Sequence, residues 1–144
     1  GHWEAYCSGK NIPHFVNTLM KKGGRKQFRN SMLYDLCGQD TSLLTSKMIY
    51  DIAKKGDSFC RGIIQEIGKI NAIGFANIVN AYDPELITIG GSVALNNPNL
   101  VLEPITKHIV EHTINRVPRI IITPLGHEVV LHGALASAFS LKDT

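Results

Sequence analysis

Apolar positions recur every three or four residues through most of the chain, and this recurrence predicts helix more often than strand. Helix formers fill residues 3–8 and 12–21, with Phe15, Val16, Leu19 and Met20 at helical spacing, and Gly23-Gly24 provides a stop. Residues 25–37 pass from polar to apolar. Thr45-Ser46 then precedes Met48, Ile49, Ile52 and Ala53, which predicts a short capped helix ending near Gly56. The longest element is expected from the cap candidates Asp57 and Ser58 to about Tyr82, on the periodicity of Ile63, Ile67, Ile70, Gly74, Ile78 and Ala81. Its small positions Gly62, Gly68, Ala72, Gly74 and Ala76 imply a backbone packed closely against it, since glycine otherwise weakens a helix.

Beyond Asp83-Pro84 the pattern changes period. Leu86-Ile87-Thr88-Ile89 and Ile120-Ile121-Ile122-Thr123 are short β-branched runs of the buried-strand type, ended by Gly90-Gly91 and Pro124. Between them a helix is expected to open at Asn97-Pro98 or Glu103-Pro104 and continue to about Ile114, and residues 129–141 predict a last helix. The alternation implies a parallel pair covered by helices. A pair alone leaves unpaired edges and apolar faces, so further strands must come from elsewhere.

Composition narrows the class. With 144 residues, 44% hydrophobic and 19% charged, the chain reads as one globular domain or part of one. The net charge is +3, and the one basic concentration, Lys21, Lys22, Arg25, Lys26 and Arg29, reads as a solvated edge, because no nucleic-acid signature accompanies it. Cys7, Cys37 and Cys60 are too few and too scattered for a disulfide framework, which suits a cytoplasmic location. No apolar run approaches the roughly 20 residues of a membrane span.

Three segments are candidates for chemistry. Gly90 and Gly91 let the backbone turn sharply and approach a flat or phosphorylated ligand at the carboxyl end of a strand, with the Ser92 hydroxyl beside them; a plain tight turn explains them equally well. Glu4 lies near His2, Trp3, Tyr6 and Ser8, where a carboxylate beside an imidazole and an aromatic wall suits sugar hydroxyls, or simply serves a helix N-terminus. His108-Ile109-Val110-Glu111-His112 matches the H-x-x-E-H pattern of zinc peptidases, which would set two imidazoles on one helical face. Only Glu128 and Asp143 remain downstream as a third ligand, so a solvated amphipathic helix is the better reading. His14, His127 and His132 stand singly and receive no role.

Together these segments resemble a known family. Gly1-His2-Trp3-Glu4-Ala5-Tyr6-Cys7-Ser8-Gly9 is similar to the end of the signature of the ROK family of sugar kinases and sugar-responsive repressors, Gly-Cys-x-Glu-Ala-Tyr-x-Ser-Gly. Asn80 through Val93, with Asp83-Pro84 and Ile87-Thr88-Ile89-Gly90-Gly91, resembles the family's adenosine-side stretch. The run from Ile121 through Gly126 to Gly133-Ala134-Leu135 looks like its closing strand, loop and helix. His-Trp-Glu points to archaeal glucokinase-like members.

The resemblance implies an α/β fold: the helix-rich C-terminal part of an actin-like ATPase domain. Its sugar-contact motif would occupy residues 1–9, a helical region 10–82, and the adenosine motif and closing α/β unit 83–144. It implies an ATP-dependent hexose kinase, with glucose the first substrate to test, ATP and magnesium as cofactors, and a homodimer. Glu4 and His2 would face the sugar, and Gly90, Gly91 and Ser92 the nucleotide. The family's phosphate loops and catalytic aspartate have no equivalents here, so no catalytic residue is assigned and the isolated chain is expected to be inactive. The family's zinc site uses one histidine and three cysteines; the third cysteine is His2 here, so no zinc is expected in this chain, though His2 could serve as a ligand in a complete protein. The alternative within the family is a sugar-sensing transcriptional regulator without kinase activity. No nucleic acid or membrane partner is expected for this chain.

Overall fold

Asp57 starts the element around which the rest is built. Its Oδ1 accepts the Cys60 N–H at 2.8 Å, and the helix this caps, α6, runs from Ser58 to Tyr82. In the computed structural model, which describes residues 2–38 and 40–140, α6 divides the chain, in sequence order, into two groups of elements that pack together in one core. On one side lie α1 (Glu4–Cys7), α2 (Ile12–Leu19), a π-helical turn (Met20–Gly24), α3 (Arg25–Arg29), α4 (Met32–Cys37) and α5 (Ser46–Lys54). Thr45 caps α5 by accepting the Met48 N–H, as its sequence predicts. On the other side follow β1 (Leu86–Ile89), α7 (Ser92–Asn96), α8 (Pro98–Ile109), β2 (Arg119–Ile122) and α9 (Val129–Ser140). Gly1, Asp143 and the expected last residue of α9, Leu141, lie outside the described residues.

The main core is helical. Ile12, Val16, Leu33, Ile49, Ile64, Ile67 and Ile105 are essentially fully buried in one cluster, and each such side chain contributes roughly 1.5–3 kcal/mol of transfer free energy. A second cluster, Ala72, Ala76, Val79 and Ile109, joins α6 and α8 to the sheet through Ile87 and Ile120. The small residues of α6 act as the sequence implies at Gly68, where an added Cβ would run into Pro104 of α8. At Gly74 the close neighbour is a side chain rather than a backbone, the Trp3 indole, and at Gly62 nothing lies within 4 Å.

β1 and β2 pair in parallel, from Leu86 opposite Arg119 to Ile89 opposite Ile122. Three expectations change here. The strands are not buried: Leu86, Thr88 and Arg119 are exposed and the rest half-buried, because no further strand flanks the pair among the described residues. Gly90-Gly91 leads directly into α7 rather than into a plain turn. The helix after Asn97 opens at Pro98, accommodates Pro104 in its interior, and ends at Ile109 instead of near Ile114. Among the described residues no helix is long and apolar enough to cross a membrane.

Candidate functional site

β1 delivers the chain to Gly90 and Gly91 at the carboxyl end of the sheet. Gly91 has φ +94° and ψ 155°, a conformation that an L side chain rarely adopts, and a Cβ added there would meet nothing within 4 Å. Conformation rather than crowding therefore requires this glycine. At Gly90 the requirement is space, since a Cβ would lie 3.3 Å from Val129 Cγ1 and 3.5 Å from Thr123 Cγ2. Ser92 begins α7 and leaves its hydroxyl exposed.

Facing this turn is the loop between α1 and α2. Ser46 Oγ donates to the Gly9 carbonyl, fixing the loop on α5, and a Cβ on Gly9 would lie 3.0 Å from Val93 Cγ2, so the loop also abuts α7. Lys54 Nζ closes the frame by donating to the Asn96 carbonyl at 3.1 Å. Between these walls lie two adjoining cavities of about 490 and 540 Å³, sharing Gly9, Tyr50, Ser92 and Val93. The first reaches Ser8, Asn71, Gly90 and Gly91; the second reaches Lys47, Asp51, Lys54 and Asn97.

Two buried polar atoms in this cleft lack hydrogen-bond partners. Ser8 Oγ belongs to the first cavity, and Asn97 Oδ1, whose amide Nδ2 donates to the Val93 carbonyl at 2.8 Å, belongs to the second. An orphaned buried acceptor costs about 1–3 kcal/mol. The carboxylate in the cleft is not a free base: the hydrogen bond from Lys47 at 2.6 Å, with the charges of Lys54 and Lys55, holds Asp51 below the usual carboxylate range. Burial pushes Tyr50 up to about 12, with Cys7 adding to the effect, and pushes the Cys7 thiol up to about 11 against a smaller opposing contact with Trp3. Neither is ionised near neutral pH.

The sugar-side candidates stand apart from this cleft. Glu4 is the first residue of α1 with an exposed carboxylate, and neither it nor His2 lines either cavity. Trp3 is not a free aromatic wall beside Glu4. Its indole N–H donates to Asn71 Oδ1 at 2.8 Å, and its ring packs on Gly74 and edge-on to Phe75, so it pins α1 to α6. Among the described residues no cluster of three or more His, Cys, Asp or Glu side chains converges as a metal site, and nothing beside His2 would complete one. The H-x-x-E-H segment is not one helical face either: α8 ends at Ile109, His108 Nδ1 pairs with Glu111 Oε1 at 3.0 Å, and His112 lies beyond the helix.

Residues that sequence reasoning passed over include Lys47, Tyr50, Lys54, Asn71 and Asn97. Lys47 and Asp51, four apart on the polar face of α5, were the available signal; attention to the apolar face alone hides them. Asn97 was visible only as a place where a helix could start.

With these elements in place, comparison with known proteins is informative. The pattern of the ROK family matches residues 1–140, and the chain belongs to that family. It is 31% identical over 112 residues to a glucokinase of Aeropyrum pernix, covering 78% of this chain and 34% of that protein. It is also 27% identical over 94 residues to a xylose repressor of Caldicellulosiruptor bescii, covering 65% of this chain and 22% of that protein. Among solved structures, the ROK glucokinase of Streptomyces griseus in complex with glucose and AMPPNP superposes with a TM-score of 0.77 at 24% identity, over 93% of this chain and 43% of that one. The helix-rich body with its short parallel pair is thus one part of the actin-like ATPase fold of these kinases, and the chain spans well under half the length of these relatives.

Proposed function

We propose that the chain is the nucleotide-side, C-terminal part of an ATP-dependent hexose kinase, with glucose as the first sugar to test. What carries this reading is the coincidence, in one cleft, of the Gly91 turn at the carboxyl end of β1 with two adjoining cavities that share Ser92. The Gly90-Gly91 backbone, free of side chains, lets a flat base and ribose approach beside the Ser92 hydroxyl, which can donate or accept. Each of the two cavities, at about 490 and 540 Å³, is in the range of organic-ligand sites, about 300–1,000 Å³. Glu4 and His2, at the exposed end of α1, face the sugar, the carboxylate accepting hydroxyl hydrogen bonds. The S. griseus relative, solved with glucose and AMPPNP, supports both ligands.

Magnesium would neutralise charge on the transferred phosphoryl group; Asp51, the carboxylate lining the cleft, is paired with Lys47. Asp51, held below the usual carboxylate range by Lys47, is a poor acceptor for the sugar's proton. Catalysis therefore requires residues from outside this chain, and the complete protein acts in the cytoplasm as a homodimer.

The test is kinetic and uses the complete protein. Gly91→Val should raise KM for ATP about tenfold with little change for sugar, and Glu4→Gln should do the reverse; unchanged constants for both substrates would sink the assignments. ATP-dependent sugar phosphate formation by the 144-residue chain alone would equally contradict the reading. The xylose repressor relative supports a second reading, a sugar-binding regulator, which predicts sugar binding without any phosphate transfer by the complete protein.

A further inference from the structure

The basic concentration at residues 21–29 is solvent-exposed, as its composition suggests, but part of it surrounds a hollow. Met20–Gly24 is wound as a π-helical turn, and Gly23, at φ +127° with nothing within 4 Å of an added Cβ, breaks the helix there. Lys21, Arg25 and Arg29, spaced four residues apart across this break, all line one concave cavity of about 210 Å³. Asn17, Tyr34 and Thr41 supply an amide and two hydroxyls to the same walls, while buried Phe28 and Met20 form an apolar base. Among the described residues no carboxylate pairs with any of the three cations, and none lines the cavity. Three like charges around one hollow repel one another unless an anion is shared between them.

We propose that this cavity binds a small phosphomonoester. Guanidinium forks match phosphate oxygens in pairs, and a lysine adds a point charge. The amide and hydroxyls provide neutral hydrogen bonds for the remaining oxygens or the organic part. The volume lies below the roughly 300 Å³ at which drug-sized sites begin, which favours a compact monoester of sugar size over a nucleotide. A nucleic-acid strand is a poorer fit, because it asks for a charged track with exposed aromatic platforms, and Phe28 is only 4% exposed. The cavity shares no residue with the Gly91 cleft, so the proposal stands or falls independently of the nucleotide reading.

Titration calorimetry on the full chain tests it with two probes, inorganic phosphate and glucose 6-phosphate. Saturable binding of both, in mutual competition and weakening as sodium chloride is raised, is expected. A glucose 6-phosphate affinity at least tenfold the higher assigns the site to an organic monoester, and equal affinities assign it to free phosphate. The double variant Arg25→Gln, Arg29→Gln should lose at least tenfold in affinity, whereas Lys107→Gln, outside the cavity, should not. Because all three cavity cations are exposed, the circular dichroism spectrum should not change; should the double variant fail to fold, Lys21→Gln read by the same titration takes its place. Absence of saturable binding, affinity unchanged in the cavity variants, or tighter competitive binding of a single-stranded oligonucleotide would overturn the proposal.

Discussion

The helical body before Tyr82 and the α/β unit after it treat apolar surface in opposite ways. In the body, Ile12, Val16, Leu33, Ile49 and Ile64 close on one another and leave 2% or less of their surface to solvent. In the α/β unit the last helix carries Val130 at 80% and Leu131 at 57% exposure, and β1 and β2 show no flanking strand among the described residues. The body closes mostly on its own side chains, with Ala94, Val101 and Ile105 of the later unit completing the same core. The later unit is tied to it through Gly68 against Pro104 and through the cluster around Val79 and Ile109, yet presents a surface composed like an interior. Burial in this chain thus follows the available neighbours, not composition alone.

The largest way to break this contrast is Gly68→Leu. The side chain would drive α8 from α6 at Pro104, and a loss of about 3 kcal/mol or more is expected in urea unfolding, with both regions failing together. Asp57→Ala comes next. Its two carboxylate oxygens cap α6 at Cys60 and accept the Met32 N–H, each at 2.8 Å, so removing them should cost about 2 kcal/mol and lower the melting temperature.

Alkaline pH sharpens the comparison, because the raised groups all lie in the body. Burial lifts Cys60 to about 12, Tyr50 to about 12 and Cys7 to about 11, from ordinary values of 9.0 for the thiols and 10.0 for the phenol. The folded state holds these protons more tightly than the unfolded one, so their stabilising contribution is complete below pH 9 and is lost as pH rises through 11 to 12. The melting temperature should fall across that window, and amide exchange should accelerate first in α5 and α6. The smallest effect is expected for Leu131→Ser in α9 of the isolated chain, within about 0.5 kcal/mol, since little contact is lost; a loss comparable to a core substitution would show that α9 is covered in solution.

Legibility in the sequence followed the range of the forces involved. The capped starts of α5 and α6 at Thr45 and Asp57 could be read directly, because a cap is decided within three residues. The end of α8 could not: apolar spacing continues past Ile109, but Asn80 accepts the Ile114 N–H and donates to the His112 carbonyl, drawing that segment off the helix across a separation no local pattern records. At the cleft, Gly90-Gly91 was visible as a motif, whereas Lys47, Tyr50 and Asn97 were not, since only packing sets α5 beside α7.

The sequence by itself determined the periods, the caps, the glycine turn and the family, because these rest on neighbouring residues and on motifs of fixed spacing. Only the tertiary structure decided that Trp3 anchors α1 to α6, that Asp51 is paired with Lys47 and Lys54, and that Lys21, Arg25 and Arg29 surround a hollow. Each of these depends on side chains meeting across elements, and the direction in which a helix bends or docks is a collective outcome of packing that no single segment encodes.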